Sequence, residues 1–241
     1  MARTIAFLPA GSRITDYISL GVLAKFFPFD QVRGVLEKTG RASVRERDLP
    51  AHVVVYYVIA LALYMRSSYR QVLRCLLEGM PWLLDPSVTV KVAGKSGISQ
   101  ARSRLGAEPL KALYEAVVAP IAESRTRGAW YRQWRLVSLD GSTLDVAGTA
   151  DNEEALGRPG ASRGASAFPQ IRFGALLENG TQVLWNARMA GYATDEITLA
   201  RDVVPALRKG MLCLADRFFP SLIPHKLRPR NWPHSTRRAG R

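Results

Sequence analysis

Two short apolar runs that each lead into an aspartate constrain the fold of this chain more than any other feature. The first contains Leu136, Val137 and Leu139 and is followed by Asp140 and the turn-forming pair Gly141-Ser142. The second, residues 211–215, is followed by Asp216. Short apolar runs bounded by turn signals are typical of buried strands. We therefore expect two strands of one sheet, each presenting a carboxylate at its end.

Two strand-end carboxylates on one sheet can share a divalent metal, because Mg²⁺ prefers oxygen ligands and is usually held by one or two protein carboxylates. An aspartate after an apolar run is also a common helix N-cap or turn former. The residues alone leave both interpretations open, and either aspartate taken singly favours the second.

The positive charge is concentrated away from these two aspartates. The chain has 241 residues, a formal net charge of +14 and a pI near 10.4. Residues 1–129 carry 18 Lys and Arg against 10 Asp and Glu, residues 130–216 carry 9 against 10, and residues 217–241 carry 7 against none. A field of this sign attracts polyanions such as DNA and anionic lipid surfaces.

Cysteine content and hydropathy indicate a cytoplasmic protein. Cys75 and Cys213 match no metal-ligand spacing and are expected to be reduced core residues. The longest apolar run, residues 53–65, is too short to cross a bilayer, which takes about 20 residues, and is expected to be a buried helix. The N-terminus has no sustained apolar segment of the kind found in a secretory signal.

The first half of the chain has helical periodicity. We expect two short helices between residues 15 and 36, separated at Pro28, and a long helix at 51–65 that begins at Pro50. A further helix, capped at Ser67-Ser68 and closed by Gly79 and Pro81, carries an apolar face. Two more helices follow at 99–105 and 109–123. The residues of the apolar face are Tyr69, Val72, Leu73, Leu76 and Leu77.

The second half has strand-like periodicity. We expect strands at 136–139, 171–177, 182–187 and 211–215, with Asn179-Gly180 forming a hairpin turn. A helix capped by Thr194 is expected to run towards Lys209 with a kink at Pro205. Residues 217–241 contain four prolines, seven basic residues and no acid, and we expect them to be a disordered basic tail.

Arginines provide two candidate contacts with DNA. The helices of the basic half carry arginines suited to phosphate contacts by a helix-turn-helix-like domain: Arg70, Arg74, Arg102 and Arg104. A solvated helix face is the commoner explanation for any single pair, and the charge of the whole domain moves the balance towards DNA. The Gly-rich loop at 157–164, with Arg158 and Arg163, suits close approach to a phosphate chain; it is equally well explained as a flexible loop.

Several of these motifs together resemble the insertion-sequence-4 type of DDE transposase. They are L-D-G-S-T-L-D at 139–145, the run from Gly157 to Arg172, E-N-G-T at 178–181, L-A-D-R at 214–217 and the helical segment at 99–106. The resemblance covers roughly residues 10–217 and lies in the order and spacing of the motifs. It implies an α+β chain with an all-helical DNA-binding N-terminal domain at 1–129, an incomplete ribonuclease-H-like mixed α/β catalytic domain at 130–216 and the tail at 217–241.

The resemblance also implies site residues and a reaction. Asp140 and Asp216 would be the first and second catalytic aspartates and the ligands of Mg²⁺ or Mn²⁺, with Asp145 a structural companion. Such enzymes need a third carboxylate, a glutamate in a Tyr-x2-Arg-x3-Glu-x6-Lys helix after the second aspartate, and residues 217–241 contain no acid. We therefore expect a transposase chain truncated by a frameshift just after Phe219 and inactive alone in DNA cleavage and strand transfer.

The expected partners are the double-stranded ends of an insertion sequence, with a second copy or a full-length transposase as protein partner, in the nucleoid of a bacterium and away from membranes. Two other interpretations remain open. One is a non-catalytic basic DNA-binding protein that inhibits a full-length relative, and the other is a pseudogene product that folds poorly. DNA binding and its dependence on salt would distinguish the first from the second.

Overall fold

The computed structural model of this chain describes residues 20–44, 49–64, 67–79, 94–161, 164–165 and 168–216. It contains two compact units, Met1–Val117 and Val118–Arg241. The domain boundary expected from the sequence lies later, at 129/130. The loop 118–129 lies in the second unit because the backbone N–H groups of Ile121 and Ala122 donate hydrogen bonds to the carboxylate of Glu178.

The first unit is made of helices. Their bounds are α1 Leu20–Phe26, α2 Phe29–Lys38, α3 Ala51–Leu63, α4 Tyr69–Gly79, α5 Lys95–Leu105 and α6 Glu108–Val117. The expected break at Pro28 separates α1 from α2, and α3 is the expected buried helix. Helix α3 has buried residues all round its circumference, including Val53, Val54, Val55, Tyr56 and Tyr57. The other helices pack around it.

Helix α4 has the expected amphipathic face, but its cysteine is not part of the core. Val72, Leu73, Leu76 and Leu77 are buried, whereas Arg70, Arg74 and Cys75 are exposed. Tyr69, which was expected on the apolar face, is exposed at the first position of the helix. Successive helix positions are rotated by about 100°, so position 75 lies well outside the arc that the four buried positions define. The expectation that both cysteines are core residues is therefore wrong for Cys75 and confirmed for Cys213, which is buried.

The lengths of the last two helices of this unit differ from those expected. Helix α5 begins earlier than predicted, at Lys95, and α6 ends at Val117 instead of Glu123. Pro120 explains the second difference, because proline removes a helix hydrogen bond and disfavours helical backbone at the preceding residue.

The second unit is a mixed sheet with helices. Its elements are β1 Trp130–Tyr131, β2 Trp134–Asp145, α7 Ala150–Leu156, β3 Gly160–Ala161, β4 Gly164–Ala165, β5 Gln170–Glu178, β6 Val183–Gly191, α8 Glu196–Val203, a 3-10 turn at Val204–Ala206, and β7 Met211–Ala215. Strands β1, β2, β5 and β6 are antiparallel neighbours, and β7 pairs parallel to β2. The predicted α+β class is confirmed.

Helix α8 covers one face of this sheet. Ala200 and Val203 pack with Val137, Leu139 and Leu176 in a single buried cluster. Side chains alternate between the two faces of a strand. Odd-numbered positions of β2 therefore face α8, and even-numbered positions, including Asp140, face the other way.

Two local expectations in this unit are wrong. Asp195, not Thr194, caps α8, because its carboxylate accepts a hydrogen bond from the N–H of Thr198 (2.6 Å). The helix ends at Val203 and does not run on to Lys209, since Pro205 lies in the 3-10 turn that follows it. The β5–β6 hairpin is confirmed, although four residues, 179–182, connect its strands.

Within the described ranges, no helix has both the length and the apolar character needed to cross a membrane. The expected basic tail at 217–241 and Arg163 lie outside these ranges.

Candidate functional site

Asp140 lies in the middle of strand β2, so the expectation that it ends a strand is wrong. The strand continues beyond it to Asp145, and Asp140 lies opposite Ala175 of β5. The Gly141-Ser142 pair does not form a turn, because Gly141 and Ser142 pair with Gly174 and Phe173 of β5. The hydrogen bonds of this long antiparallel partner strand outweigh the local preference for a turn.

Asp216 follows β7 directly, one residue beyond the last pair of the β2–β7 ladder. Strand β7 runs parallel to β2 in a continuous register that ends with Leu139 opposite Ala215. Continued for one further step, this register would place Asp216 level with Asp140. Neighbouring strands lie about 4.8 Å apart, and equivalent positions of parallel strands point to the same face. Both aspartates are exposed, and Asp140 lies on the face of β2 opposite α8.

The Asp140 carboxylate has a defined local contact. Its Oδ1 accepts a hydrogen bond from the N–H of Gly141 (2.8 Å), which leaves its second oxygen for another ligand. Two carboxylates at these positions supply oxygen donors of the kind that suits one Mg²⁺ keeping several of its waters. Over the part of the chain that the structure describes, no group of three His, Cys, Asp or Glu side chains is arranged to hold a metal.

Glu196 is the acid that lies over the neighbouring glycine. A Cβ built on Gly141 would overlap Glu196 Oε1. The Glu196 side chain can therefore occupy this position only because residue 141 is a glycine. Gly141 is at an odd position and faces α8. Glu196 therefore lies across the sheet from Asp140, on the opposite face.

Asp145 has a cross-strand role. Its Oδ1 accepts a hydrogen bond from Gln170 Nε2 (2.8 Å), and the two residues are the last pair of the β2–β5 ladder. This contact agrees with the structural role expected for Asp145.

Sequence reasoning missed the buried carboxylate of the sheet, Glu178. It is fully buried and forms an ion pair with Arg135, whose guanidinium also stacks on the Trp130 ring at 4.8 Å. Glu178 Oε2 accepts hydrogen bonds from Ile121 N, Ala122 N and the Thr181 hydroxyl. Burial tends to raise the pKa of Glu178, but these hydrogen bonds and the one from Arg135 outweigh it and lower the pKa.

The two candidate arginines of α5 lie on different sides of that helix. Arg102 lies 5.7 Å from the centre of the Tyr69 ring at the start of α4. Arg104 points elsewhere, because helix positions two apart lie on nearly opposite sides of the helix axis. The backbone carbonyl oxygen of Arg104 accepts a hydrogen bond from Arg41 Nη1 (3.1 Å). All these arginines and Tyr69 are exposed.

Arg158 is less available to a ligand than the helical arginines. Its side chain is only 20% exposed and forms an ion pair with Glu153 (2.9 Å). It follows α7, whose C-cap Gly157 has a φ of 76°. The short β3–β4 pair occupies part of the Gly-rich segment that was expected to be a loop.

Comparisons with known proteins agree with the motifs. Residues 17–115 match the family of insertion element 4 transposase N-terminal regions. The InsZ protein of Escherichia coli (strain K12), which carries the name of a transposase, is 24% identical over 204 residues, covering 84% of this chain and 65% of that protein. The transposase InsG for insertion sequence element IS4, from the same organism, is 23% identical over 190 residues, covering 78% of this chain and 41% of that protein. No solved structure matches.

These relatives confirm the resemblance to transposases of the insertion-sequence-4 type. The match spans less than two thirds of the length of each relative.

Proposed function

We propose that this chain, a relative of the insertion-sequence-4 type transposases, binds insertion-sequence DNA through its helical unit and contributes two aspartates to a metal-dependent site for DNA cleavage and strand transfer. The aspartates are Asp140 and Asp216. The observation that carries the proposal is the parallel register of β2 and β7, whose last pair, Leu139–Ala215, directly precedes both aspartates in the sequence.

The topology of the sheet supports a ribonuclease-H-like core for this unit. Three consecutive antiparallel strands, β2, β5 and β6, are followed by α8 and then by β7, which returns parallel beside β2. In such an arrangement the first and last strands are neighbours in space although they are far apart in the chain. That connection brings two aspartates distant in sequence to one site.

The carboxylates would hold Mg²⁺ or Mn²⁺ through their oxygens. When bound, the metal would stabilise charge on the attacking and leaving oxygens of a phosphodiester during in-line displacement. Asp140 is positioned for this task by its place in the middle of a paired strand and by the N–H of Gly141. Glu196, on the other face, would support the strand at Gly141 without touching the substrate.

A third carboxylate would complete the site, and no acid follows Asp216 in this chain. With only two carboxylates, a metal that would stabilise the attacking or the leaving oxygen lacks part of its ligands. The reaction would then be slower, and every tenfold loss of rate corresponds to about 1.4 kcal/mol of activation barrier. We therefore propose that the 241-residue chain alone binds metal and DNA but does not cleave DNA.

DNA binding would come chiefly from the helical unit. Residues 1–117 carry 16 Lys and Arg against 9 Asp and Glu, a net charge of +7, and Arg70, Arg102 and Arg104 are exposed on the helices. Contacts with phosphates release counterions, so affinity should fall steeply as salt rises. A double-stranded end of an insertion sequence is the proposed ligand.

The experiment combines binding and cleavage by the full chain. Fluorescence anisotropy with duplex DNA at several salt concentrations should give strong, salt-sensitive binding, weakened in Arg70→Gln, Arg102→Gln and Arg104→Gln and unchanged in Arg33→Gln, whose guanidinium pairs with Asp30 and Glu37. Incubation of the same complexes with Mg²⁺ or Mn²⁺ should give no nicked or joined product.

DNA binding and the absence of DNA cleavage are tested independently of each other. Strand transfer by this chain would overturn the inactive form of the proposal and leave the site assignment in place. Binding that does not respond to salt or to the arginine substitutions would overturn the DNA-binding form. Inhibition of a full-length transposase by this chain, retained in Asp140→Asn and Asp216→Asn, would favour the alternative of a non-catalytic DNA-binding inhibitor.

A further inference from the structure

The helical unit contains a cavity that shares one residue, Arg104, with the proposed phosphate contacts. Its volume is about 370 Å³. Helix α3, helix α5 and the segment after α2 surround it, and its lining residues are Gly40, Arg41, Ala42, Ser43, Val44, Leu49, Ala51, Val54, Ala101, Arg104 and Leu105. This volume is within the range typical of pockets for small ligands.

Two arginines give this cavity its charge. Arg41 and Arg104 both line it, and the hydrogen bond from Arg41 Nη1 to the Arg104 carbonyl oxygen ties together two positions that are distant in sequence. Among the residues that the structure describes, neither arginine forms an ion pair with an acid. Arg33 on α2 differs, because it is paired with Asp30 and Glu37.

The inner part of the cavity is apolar. Its floor is formed by four residues that are each at most 5% exposed and that belong to the hydrophobic core of the unit: Leu49, Val54, Ala101 and Leu105. Among the residues that the structure describes, the lining of the cavity contains no Asp or Glu. A pocket with an apolar floor and two arginines in its lining suits a ligand that has an anionic head and a less polar body.

The size and charge together restrict the ligand further. An internal phosphate of a duplex continues into the strand on both sides, so a chain end or a free small molecule reaches the apolar floor of the cavity more readily. A phosphate monoester carries a charge of about −1.5 to −2 and three acceptor oxygens, which match the two guanidinium groups better than the single charge of a phosphodiester. The sugar and base would then lie against the apolar floor.

We propose that this cavity binds a nucleoside 5′-monophosphate group, with the phosphate at Arg41 and Arg104. The source of the group is the 5′-phosphorylated end of a DNA strand or a free nucleotide. The inference goes beyond general phosphate contact by the helical unit, and its DNA form rests on the proposed function above.

The test uses the full chain and three duplexes of one sequence: one with a 5′-phosphate, one with a 5′-hydroxyl and one with a 3′-phosphate. The 3′-phosphate duplex has the same total charge as the first, so it controls for charge alone. Anisotropy titrations at one salt concentration should give about tenfold tighter binding to the 5′-phosphate duplex than to the 3′-phosphate duplex, since the 3′-phosphate makes the same charge-assisted contacts but presents its sugar and base to the apolar floor with the opposite strand polarity. A parallel titration with deoxyadenosine 5′-monophosphate and with inorganic phosphate tests the free ligands.

Substitutions then locate the site. Arg41→Gln and Arg104→Gln should abolish the preference for the 5′-phosphate, and Arg33→Gln, which removes the same charge from α2, should preserve it. Arg41→Lys keeps the charge and loses the planar fork, so it should retain part of the preference. Circular dichroism and thermal unfolding of each variant establish that the helical unit is folded, and the 5′-hydroxyl duplex reports whether general DNA binding is intact.

The outcomes are distinct. An end preference that disappears in Arg41→Gln supports the pocket with a DNA end as its ligand. Equal affinity for the three duplexes, combined with binding of deoxyadenosine 5′-monophosphate that Arg41→Gln removes, supports the same pocket with a free nucleotide. If neither result is observed, the inference is wrong even if duplex DNA still binds. If no duplex binds, the proposed function is contradicted. The titration with deoxyadenosine 5′-monophosphate then tests the pocket by itself.

Discussion

Glu178 and Arg135 form a buried ion pair that links the β5–β6 hairpin to strand β2. The same carboxylate accepts hydrogen bonds from the backbone of Ile121 and Ala122, and Arg135 Nη2 donates to the Ala122 carbonyl oxygen (3.2 Å). The pair thereby fixes the loop before the sheet to the strand that carries Asp140. Both the glutamate and the threonine of the motif E-N-G-T at 178–181 take part in this contact, because the Thr181 hydroxyl also donates a hydrogen bond to Glu178.

Glu178→Ala should destabilise the second unit by about 3–5 kcal/mol, because it leaves a partly buried guanidinium and two backbone N–H groups without their acceptor. Urea unfolding followed by tryptophan fluorescence measures the change. The control is Glu153→Ala, which removes a half-exposed partner of Arg158 and should cost less than about 1 kcal/mol. Similar losses in the two variants would contradict the role assigned to Glu178.

Stability should depend on pH through Glu178. Hydrogen bonds hold its pKa in the folded state below the usual value, against the effect of burial, so the stabilisation is fully present above the pKa of an unfolded glutamate, about 4.3. It is lost as the pH falls through the lower pKa of the folded state. The difference in unfolding free energy between the wild type and Glu178→Gln should therefore shrink between pH 6 and pH 3, and a difference independent of pH would count against this explanation.

Gly180→Ala should destabilise the second unit by about 1–3 kcal/mol. A Cβ at this position would lie 2.5 Å from the Ala129 nitrogen and 2.8 Å from its Cα, so backbone would have to move. Gly34 lies inside α2 with nothing within 4 Å of the added atom, so Gly34→Ala should instead stabilise its unit by about 0.5–1 kcal/mol. Thermal unfolding of both variants checks the opposite signs; equal signs would refute the packing argument.

Local sequence patterns predicted much of this fold, and the misses have non-local causes. Apolar periodicity and Pro28 predicted α1–α4, and the Asn179-Gly180 pair predicted the β5–β6 hairpin. The extent of β2 could not be predicted from Gly141-Ser142, since pairing with β5 decides where the strand ends. Burial of Glu178 likewise depends on Arg135 and on a loop that is distant from it in sequence.

The candidate site was partly predictable for a similar reason. Two apolar runs ending in aspartates predicted strands of one sheet, and the register of β7, continued for one further step, would place Asp216 level with Asp140. No sequence pattern gave the side of the sheet on which Glu196 lies, because this depends on the packing of α8 against Gly141 and Gly174. The separation of Arg104 from Arg102, by contrast, follows from helix geometry and was available in the sequence.

The most direct test of the central claim is the binding of Mn²⁺ to the folded 241-residue chain, measured by isothermal titration calorimetry or by the loss of the free-ion electron paramagnetic resonance signal. We predict one site that Asp140→Asn and Asp216→Asn each weaken by about tenfold or more, as expected for an ion held by one or two carboxylates. Asp145→Asn, which alters the other exposed aspartate of β2, should leave the affinity unchanged. Mn²⁺ binding that neither Asp140→Asn nor Asp216→Asn affects would contradict the claim that the two strands share a metal.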